Sequence, residues 1–422
     1  MSPDENIDQL MKKHLEHATR KMLVSIGEEK IKSIILTGSV TRGEGSGIAT
    51  DHGIEIFSDY DLMVLVAPSH DSSIDRLRRE SAALSEKISE ELLGDGLLSG
   101  VSIYPLSVDD LESLTPTMFT LQLRNCGKVL YGAECLDVIP DYDVEDIPKI
   151  DSLTMLNNRI ATQMKFLDPE VFVWKTREDP RQVRMSIYHT AIAFIDLSSS
   201  LLNLIGKFQL SYGERAEVFQ KEFHRFPYLK EQCPDLPEVV DFFTRLKYDP
   251  DLRRVAERYG YGCSDEELVD VAVKVWLELL DYVKPVWAHH VRELCDPGPD
   301  AHDVKDLVEA FFRYANTLDS RLVSIIHYLK SNNYSLGSIP RSTRFLSASL
   351  PAAVYSTLIL QYYATPGILE KEHIDRAPLL SDAQKYLNKL PHEQPPGIFE
   401  NPIKHWDRMR RVGSKMWSRY IE

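Results

Sequence analysis

Two aspartates, Asp59 and Asp61, are the side chains of this sequence best suited to chemistry. They stand at the start of a largely apolar run, Tyr60 to Val66, that predicts a strand. Side chains of a strand alternate between its two faces, so Asp59 and Asp61 are expected to point the same way. Two such carboxylates repel each other unless a cation lies between them, and hard oxygen ligands suit Mg²⁺. The pair therefore predicts a site for one or two Mg²⁺ ions at a strand end.

A glycine–serine turn precedes this pair. The run Lys32 to Leu36 predicts a strand, after which Gly38 allows a tight turn whose backbone N–H groups a phosphate can approach closely. Ser39 adds a hydroxyl donor, and a helix beginning there would direct its N-terminal dipole at the anion. Arg42 follows about one turn later, within reach of the same phosphates. We expect Gly38, Ser39 and Arg42 to bind the triphosphate of a nucleotide.

Either motif alone is weak, because a Gly-Ser pair is a common turn and an Asp-x-Asp pair is often a solvated strand end. Their joint order, a strand, the Gly-Ser turn, a spacer and then Asp-x-Asp before a buried strand, indicates nucleotidyl transfer.

At these residues the chain resembles the polymerase-β-like nucleotidyltransferase superfamily, in its small-molecule or minimal form. Residues 31–66 carry most of the resemblance, and residues 118–132 look like the helix and strand that close such domains. The resemblance implies that Gly38 and Ser39 contact the triphosphate and that Asp59 and Asp61 hold the catalytic divalent ions. Arg42 and Glu44 match an Arg-Gly-Glu extension of many small members, which makes them further nucleotide-binding candidates.

The chain departs from the family at a third carboxylate, which often lies on a later strand and acts as a base toward the attacking hydroxyl. The matching strand, 100–106, offers Ser102 and Tyr104 and no acid. Either Glu44 or a residue of the C-terminal half does this work, or the base is dispensable, because such catalysis is mostly positioning and charge neutralisation.

Composition and charge limit the classes of binding partner that we expect for this protein. Residues 1–150 carry 14 Lys and Arg against 27 Asp and Glu, which is a poor surface for long nucleic acid. The five cysteines lack Cys-x-x-Cys spacing, so neither a disulfide framework nor structural zinc is expected. No apolar run approaches a membrane span and the first residues lack a signal pattern, so we expect a cytoplasmic protein without a membrane partner.

Periodicity divides the chain. Helices and short strands alternate over residues 1–140, the expected catalytic domain, in which residues 48–57 are an insertion. Residues 141–150 are an acidic, proline-bracketed linker. Residues 151–422 show helical periodicity throughout, with a softer break near 295–302. Within them, residues 188–219 weakly resemble the helical acceptor domains of small-molecule nucleotidyltransferases. The predicted fold class is α+β, a small mixed-sheet nucleotidyltransferase domain followed by an all-α domain.

Charged residues of the second half are interpreted as solvated. The basic stretch 401–422 predicts an amphipathic helix with a solvated basic face. Lys207 and Arg215 could face the nucleotide, but a solvated helix surface is the favoured interpretation.

These features predict a Mg²⁺-dependent enzyme that transfers a nucleoside monophosphate from a triphosphate, ATP being the expected donor, to a hydroxyl of a small acceptor. Two alternatives stay open: nucleotidylation of a protein side chain, and a catalytically weak nucleotide-binding sensor or scaffold. The sequence does not name the acceptor or the oligomeric state.

Overall fold

The computed structural model describes residues 3–50, 53–67, 71–301, 303–331, 348–369, 377–390 and 402–420. Nine helices and strands make up the first part of the chain as described: α1 (Pro3–Ile26), β1 (Ile31–Thr37), β2 (Gly47–Thr50), β3 (Gly53–Ile56), β4 (Tyr60–Val66), α2 (Asp71–Leu93), β5 (Val101–Ser107), α3 (Met118–Cys126) and β6 (Lys128–Gly132). The alternation of helices and short strands predicted for this part is present, and two short 3₁₀ helices, Val40–Arg42 and Val108–Ser113, lie between these elements.

Four of the strands form a mixed sheet in the order β5-β4-β1-β6. Strand β1 is antiparallel to both β4 and β6, whereas β4 and β5 are parallel. Consequently the end of β1 and the starts of β4 and β5 meet at one edge of the sheet. This edge carries the turn at Gly38 and Ser39, which we call the phosphate turn, and the carboxylates of Asp59 and Asp61.

Alternation along the strands explains what each face of the sheet does. One face carries apolar side chains such as Ile34, Leu62 and Ile103, which pack under α1 and α2. The other carries Ile35 and Met63, which pack with residues of α3 and of the neighbouring 3₁₀ helix. At the sheet edge this second face becomes polar, with Asp61 on β4 beside Ser102 on β5.

The insertion predicted at 48–57 is a β-hairpin made of β2 and β3. It packs against the helical half of the chain: Phe57 lies in a cluster with Met185 and Ile192, and Arg184 donates to both carboxylate oxygens of Glu55 at 2.6 and 2.8 Å. The hairpin is therefore an interface element rather than a spare loop.

The rest of the described chain is helical: α4 (Ile150–Phe166), α5 (Pro169–Phe172), α6 (Pro180–Leu204), α7 (Tyr212–Glu222), α8 (Pro227–Gln232), α9 (Leu236–Tyr248), α10 (Leu252–Arg258), α11 (Asp265–Cys295), α12 (Val304–Ala315), α13 (Leu318–Ser331), α14 (Leu350–Leu369), α15 (Ala377–Leu387) and α16 (Pro402–Tyr420). The small mixed sheet followed by helices is the α+β class expected from the sequence. Within the described helices, none is both long and apolar enough to cross a membrane.

One apolar cluster runs through these helices from Leu153 to Trp417. It includes Trp287 before the expected sub-boundary at 295–302 and Phe311 after it, so both sides of that loop share a core. The expected linker is also packed, since its Ile147 lies in a cluster with Met118 and Phe208.

The helical periodicity that follows the loop near 295–302 is divided between two helices, α12 and α13. The break follows from capping. Thr317 accepts a hydrogen bond from the backbone N–H of Ser320 at 3.1 Å, which starts a new helix where the apolar period alone would continue the old one.

The solvated basic face predicted for the C-terminal helix is right for part of α16 and wrong for Arg410. Lys404, Arg408 and Lys415 are exposed, but Arg410 is only 5% exposed. Its guanidinium is 2.7 Å from a carboxylate oxygen of Asp407 and donates to the carbonyl of Met164 at 2.9 Å, near the end of α4. Arg410 therefore fastens α16 to α4.

Replacing Arg410 by Met should lower the free energy of unfolding by about 2–4 kcal/mol, because Asp407 and a helix-end carbonyl lose a buried donor. The measurement is urea unfolding followed by circular dichroism. Arg408→Met, on the exposed side of the same helix, is the matched control and should change stability by less than about 0.5 kcal/mol. Equal losses in both variants would contradict the fastening role.

Candidate active site

A cavity of about 690 Å³ opens between the sheet edge and helices α4, α6 and α9. Five of the six predicted site residues line it: Gly38, Ser39, Arg42, Asp59 and Asp61. The motifs that the sequence places 20 positions apart thus share one space.

The two aspartates reach this space from β4. Asp61 lies opposite Thr37 of β1 and opposite Ser102 of β5 in the strand register. Asp59 stands one residue before β4 and is exposed to the cavity. Both side chains therefore line the same cavity, although Asp59 lies just outside the strand that was expected to carry the pair.

The carboxylate ligands present fit Mg²⁺ better than a metal ion that is bound by protein side chains alone. Among the described residues no group of three or more His, Cys, Asp or Glu is placed to hold a metal. Mg²⁺ retains several waters and is commonly bound by one or two carboxylates together with substrate phosphates. Asp59 and Asp61 at an open cavity would supply that set.

The glycine turn is shaped around Asp61. Gly38 has φ of 83°, a left-handed conformation, and a Cβ at this position would lie 2.9 Å from Oδ2 of Asp61. The helix expected after it is a single 3₁₀ turn, Val40–Arg42, so its dipole adds little. The requirement for glycine is therefore twofold: the backbone conformation and the space beside the carboxylate.

Arg42 is held at the cavity wall by a network. Its guanidinium donates to Glu44 at 2.7 Å, to the carbonyl of Gly38 at 3.1 Å and to Gln122 at 2.8 Å, and it lies 5.0 Å from the ring centroid of Tyr212. These contacts fix the orientation of Arg42 before any ligand arrives.

Glu44 has a different place from the other predicted residues. It is 3% exposed and is not among the residues that line the cavity. One oxygen accepts from Arg42, and the other accepts from the N–H of Tyr212 at 2.7 Å and from the hydroxyl of Tyr248 at 2.6 Å. Glu44 joins the phosphate turn to the helical half, and nucleotide contact or base chemistry by it stays a prediction.

Lys247, near the end of α9, is the site residue that the sequence analysis missed. It is 2% exposed, and its ammonium donates to Ser46 at 2.7 Å, to the carbonyl of Glu44 at 2.8 Å, to Ser58 at 3.0 Å and to Ser39 at 3.4 Å. All four acceptors are neutral oxygens. Lys247 therefore brings a buried positive charge to the phosphate turn, and it lines the cavity.

The environment of Lys247 changes its acidity. Burial lowers the pKa of its ammonium to about 8, although the nearby Asp59 works in the opposite direction. A signal for this residue was present in the sequence, because Val240, Phe243 and Lys247 continue one buried stripe of a helix. A lysine on a buried helix face needs hydrogen-bond acceptors, and oxygens from the first part of the chain supply them here.

No family model matches this chain, and no curated protein matches it either. Among solved structures the chain is similar to spectinomycin adenyltransferase AAD(9) from Enterococcus faecialis, crystallised with ATP and spectinomycin. The identity is 12%, the TM-score is 0.34, and the match covers 65% of this chain and 99% of the other. A likeness of this size leaves the function to be argued from the site itself.

Ser102 and Tyr104, which the sequence offers where a third carboxylate is expected, both line the cavity. Ser102 pairs in register with Asp61, and Tyr104 pairs with Met63. Of the described residues, one further carboxylate lines the cavity, Asp179. It caps α6 by accepting from the N–H of Gln182 at 3.0 Å, so it already has a structural task.

Other groups at the cavity are poor bases. His189 stacks on Phe166 with ring centroids 4.2 Å apart, and burial, together with the positive charges of Arg159 and Lys165, lowers its pKa to about 3. Arg159 is held by Asp196 at 2.7 Å. The imidazole therefore stays neutral and weakly basic.

Lys207 and Arg215, the two cations considered from the sequence, do not line the cavity. Lys207 is solvent-exposed, as expected. Arg215 is buried rather than solvated, and it donates to the carbonyls of Gln209 and Leu210 at 2.7 and 2.9 Å.

The pH dependence of the free energy of unfolding should show the effect of burying Lys247. The pKa of about 8 in the folded chain lies below the ordinary 10.5, so between these values the unfolded chain binds more protons and stability rises with pH. The stability of the wild type relative to Lys247→Met should therefore increase by about 2 kcal/mol from about pH 7 to about pH 9.5. Urea unfolding at both pH values measures it.

Lys274→Met, which removes an exposed lysine from α11, controls for loss of a surface charge. If the stability of the wild type relative to Lys247→Met stays constant or falls between about pH 7 and about pH 9.5, the Lys247 ammonium is not destabilised by burial.

Proposed function

We propose that this protein is a Mg²⁺-dependent nucleotidyltransferase that transfers a nucleoside monophosphate from a nucleoside triphosphate, ATP being the expected donor, to a hydroxyl of a small molecule. The observation that carries the proposal is the meeting of the Gly38 turn, the Asp59 and Asp61 carboxylates and the buried Lys247 in one cavity. In this proposal residues 1–140 supply the catalytic domain, 141–150 join the halves, and 151–422 form the acceptor domain.

The reaction forms one bond and breaks one. The acceptor oxygen bonds to the α-phosphorus, the bond from that phosphorus to the oxygen leading to the β-phosphate breaks, and pyrophosphate leaves. Mg²⁺ bound to Asp59 and Asp61 would supply neutralisation of phosphate charge. Ser39, Arg42 and Lys247 orient the triphosphate and stabilise the charge that grows on the leaving pyrophosphate.

The buried position of Lys247 makes its charge effective. An ammonium removed from water interacts more strongly with phosphate than one in solvent does. Its present acceptors are neutral, so a triphosphate would be its first anionic partner in direct contact. Binding the anion would also favour the charged form of Lys247.

The proton of the acceptor hydroxyl goes to water in this proposal, because Ser102 stands where a carboxylate base would. A loose transition state of phosphoryl type asks little of a base. A serine at position 102 also favours a second candidate function, that of a sensor that binds nucleotide with Mg²⁺ and turns it over slowly or not at all. Turnover separates the two.

Asp59→Asn and Asp61→Asn should each lower nucleotidyl transfer at least about 100-fold, because metal binding contributes several kcal/mol to the transition state. The assay is release of labelled AMP, or transfer of the label, from triphosphates labelled at the α-phosphate, with each base tested. Asp109→Asn, in the 3₁₀ helix and outside the cavity, is the control and should keep wild-type rates.

Wild-type turnover in either cavity variant removes that aspartate from the metal site. Mg²⁺-dependent triphosphate binding without turnover in the wild type supports the sensor instead.

Two glycines provide a matched pair of variants. Gly38 and Gly43 have similar positive φ values, 83° and 72°, so alanine costs each a similar backbone strain of roughly 1–2 kcal/mol. A Cβ at Gly43 meets nothing within 4 Å, whereas at Gly38 it meets Asp61. Gly38→Ala should therefore abolish most transfer activity and Gly43→Ala should keep most of it, with both proteins folded by circular dichroism. Equal activity losses would mean that backbone strain, and not displacement of Asp61, is the cause.

A further inference from the structure

The carboxylate strand separates two sides of the cavity. Strand β4 lies between β1 and β5, so Asp61 has Thr37 on one side and Ser102 on the other. The Gly38–Ser39 turn directly follows Thr37, which assigns the triphosphate to the β1 side if the proposed function holds. In a phosphoryl-type transfer the attacking and leaving oxygens are roughly in line, on opposite sides of the phosphorus. The acceptor hydroxyl therefore arrives from the β5 side.

The β5 side carries a cation, Arg181, from the first turn of α6. Its guanidinium donates to the carbonyl of Leu98 at 2.8 Å and to that of Ser99 at 3.0 Å, directly before β5, and it lines the cavity. In the part of the chain that the structure describes, Arg181 is paired with no carboxylate. Two neutral carbonyls fix its position and leave its charge uncompensated.

Negative charge on this side is scarce. Asp179 is occupied as the cap of α6 and lies 3.8 Å from the guanidinium of Arg177. Asp59 and Asp61 are committed to the metal in the proposed function. Arg181 is therefore the cation on this side of the cavity to which the described residues offer no carboxylate.

We propose that the acceptor is an anion: it carries a phosphate or carboxylate group in addition to the hydroxyl that takes the nucleotidyl group, and Arg181 binds that group. This inference rests on the proposed function. A cationic acceptor would place its positive charge beside the guanidinium of Arg181, which has only neutral carbonyl partners. An anionic acceptor gains a charge-assisted, bidentate contact with a guanidinium whose position is already fixed.

The test uses the full-length protein, Mg²⁺ and ATP labelled at the α-phosphate. A small-metabolite extract is divided by ion exchange at neutral pH into anionic, neutral and cationic fractions. Release of labelled AMP to water without any fraction reports the nucleotidyl chemistry itself, and labelled product with each fraction reports the acceptor. Treating the anionic fraction with phosphatase beforehand separates the two anions, because only a phosphate ester loses its acceptor property.

The strongest transfer with the anionic fraction is the expected result. Transfer mainly with the neutral or the cationic fraction overturns the proposal. AMP release that the anionic fraction neither accelerates nor converts into a new product also overturns it, while the proposed function stands. AMP release and labelled product that are no greater than those of Asp59→Asn with every fraction overturn the proposed function and this inference with it.

Variants of Arg181 give a second readout. Arg181→Gln should raise the apparent KM for the anionic fraction about tenfold or more, and more than the KM for ATP, and Arg181→Lys should recover part of the loss. Arg184→Gln, one turn later on α6, is the matched control, since Arg184 also bridges the halves through Glu55 but lies outside the cavity. If Arg184→Gln shifts the acceptor KM as much, Arg181 acts by holding the halves together and does not bind the acceptor.

Discussion

The burial of one ammonium group governs the arrangement of this molecule. Lys247 leaves water without a carboxylate among its hydrogen-bond acceptors and relies on three serine hydroxyls and one carbonyl, all from the first part of the chain. Removing a charge from water is costly, and neutral oxygens compensate only part of that cost. The helical half therefore docks where Ser39, Glu44, Ser46 and Ser58 offer those oxygens. Lys247, a charged residue on a buried helix face, is therefore a main point of contact between the two halves.

The surrounding contacts hold the halves in that position. Glu44 accepts from Tyr212 and Tyr248, Glu55 of the β2–β3 hairpin binds Arg184, and Tyr188 donates to Ser46 at 2.9 Å. Most of these groups are at least partly buried, so each bond is made in a medium of low dielectric where geometry matters more than it does in water. These contacts connect the two sides of the cavity and so maintain its shape. The hairpin, an insertion by the standard of the sequence motif, contributes much of that joining.

The sequence predicted what is decided locally. The turn at Gly38, the pairing of Asp59 with Asp61 and the strands around them depend on the conformational freedom of glycine and on the two-residue period of a strand, and both are visible within a short window. Lys247 and Arg181 were missed because their partners lie far along the chain and are carbonyls and hydroxyls, which carry no sequence signature. Arg410 was misjudged for the same reason, since a basic run reveals nothing about which of its members meets a helix end. The split between α12 and α13 depended on one threonine cap inside a continuous apolar period.

The contact between Lys247 and Ser39 joins residues 208 positions apart. The chain between them includes the rest of the sheet and helices α4 to α9, so a large part of the molecule must be in place before the contact can form. Long-range contacts of this kind form late, after the loop-closure entropy has been overcome. During synthesis the phosphate turn leaves the ribosome well before the lysine that completes it. A nascent chain would therefore complete this wall of the cavity only after α9 has been made.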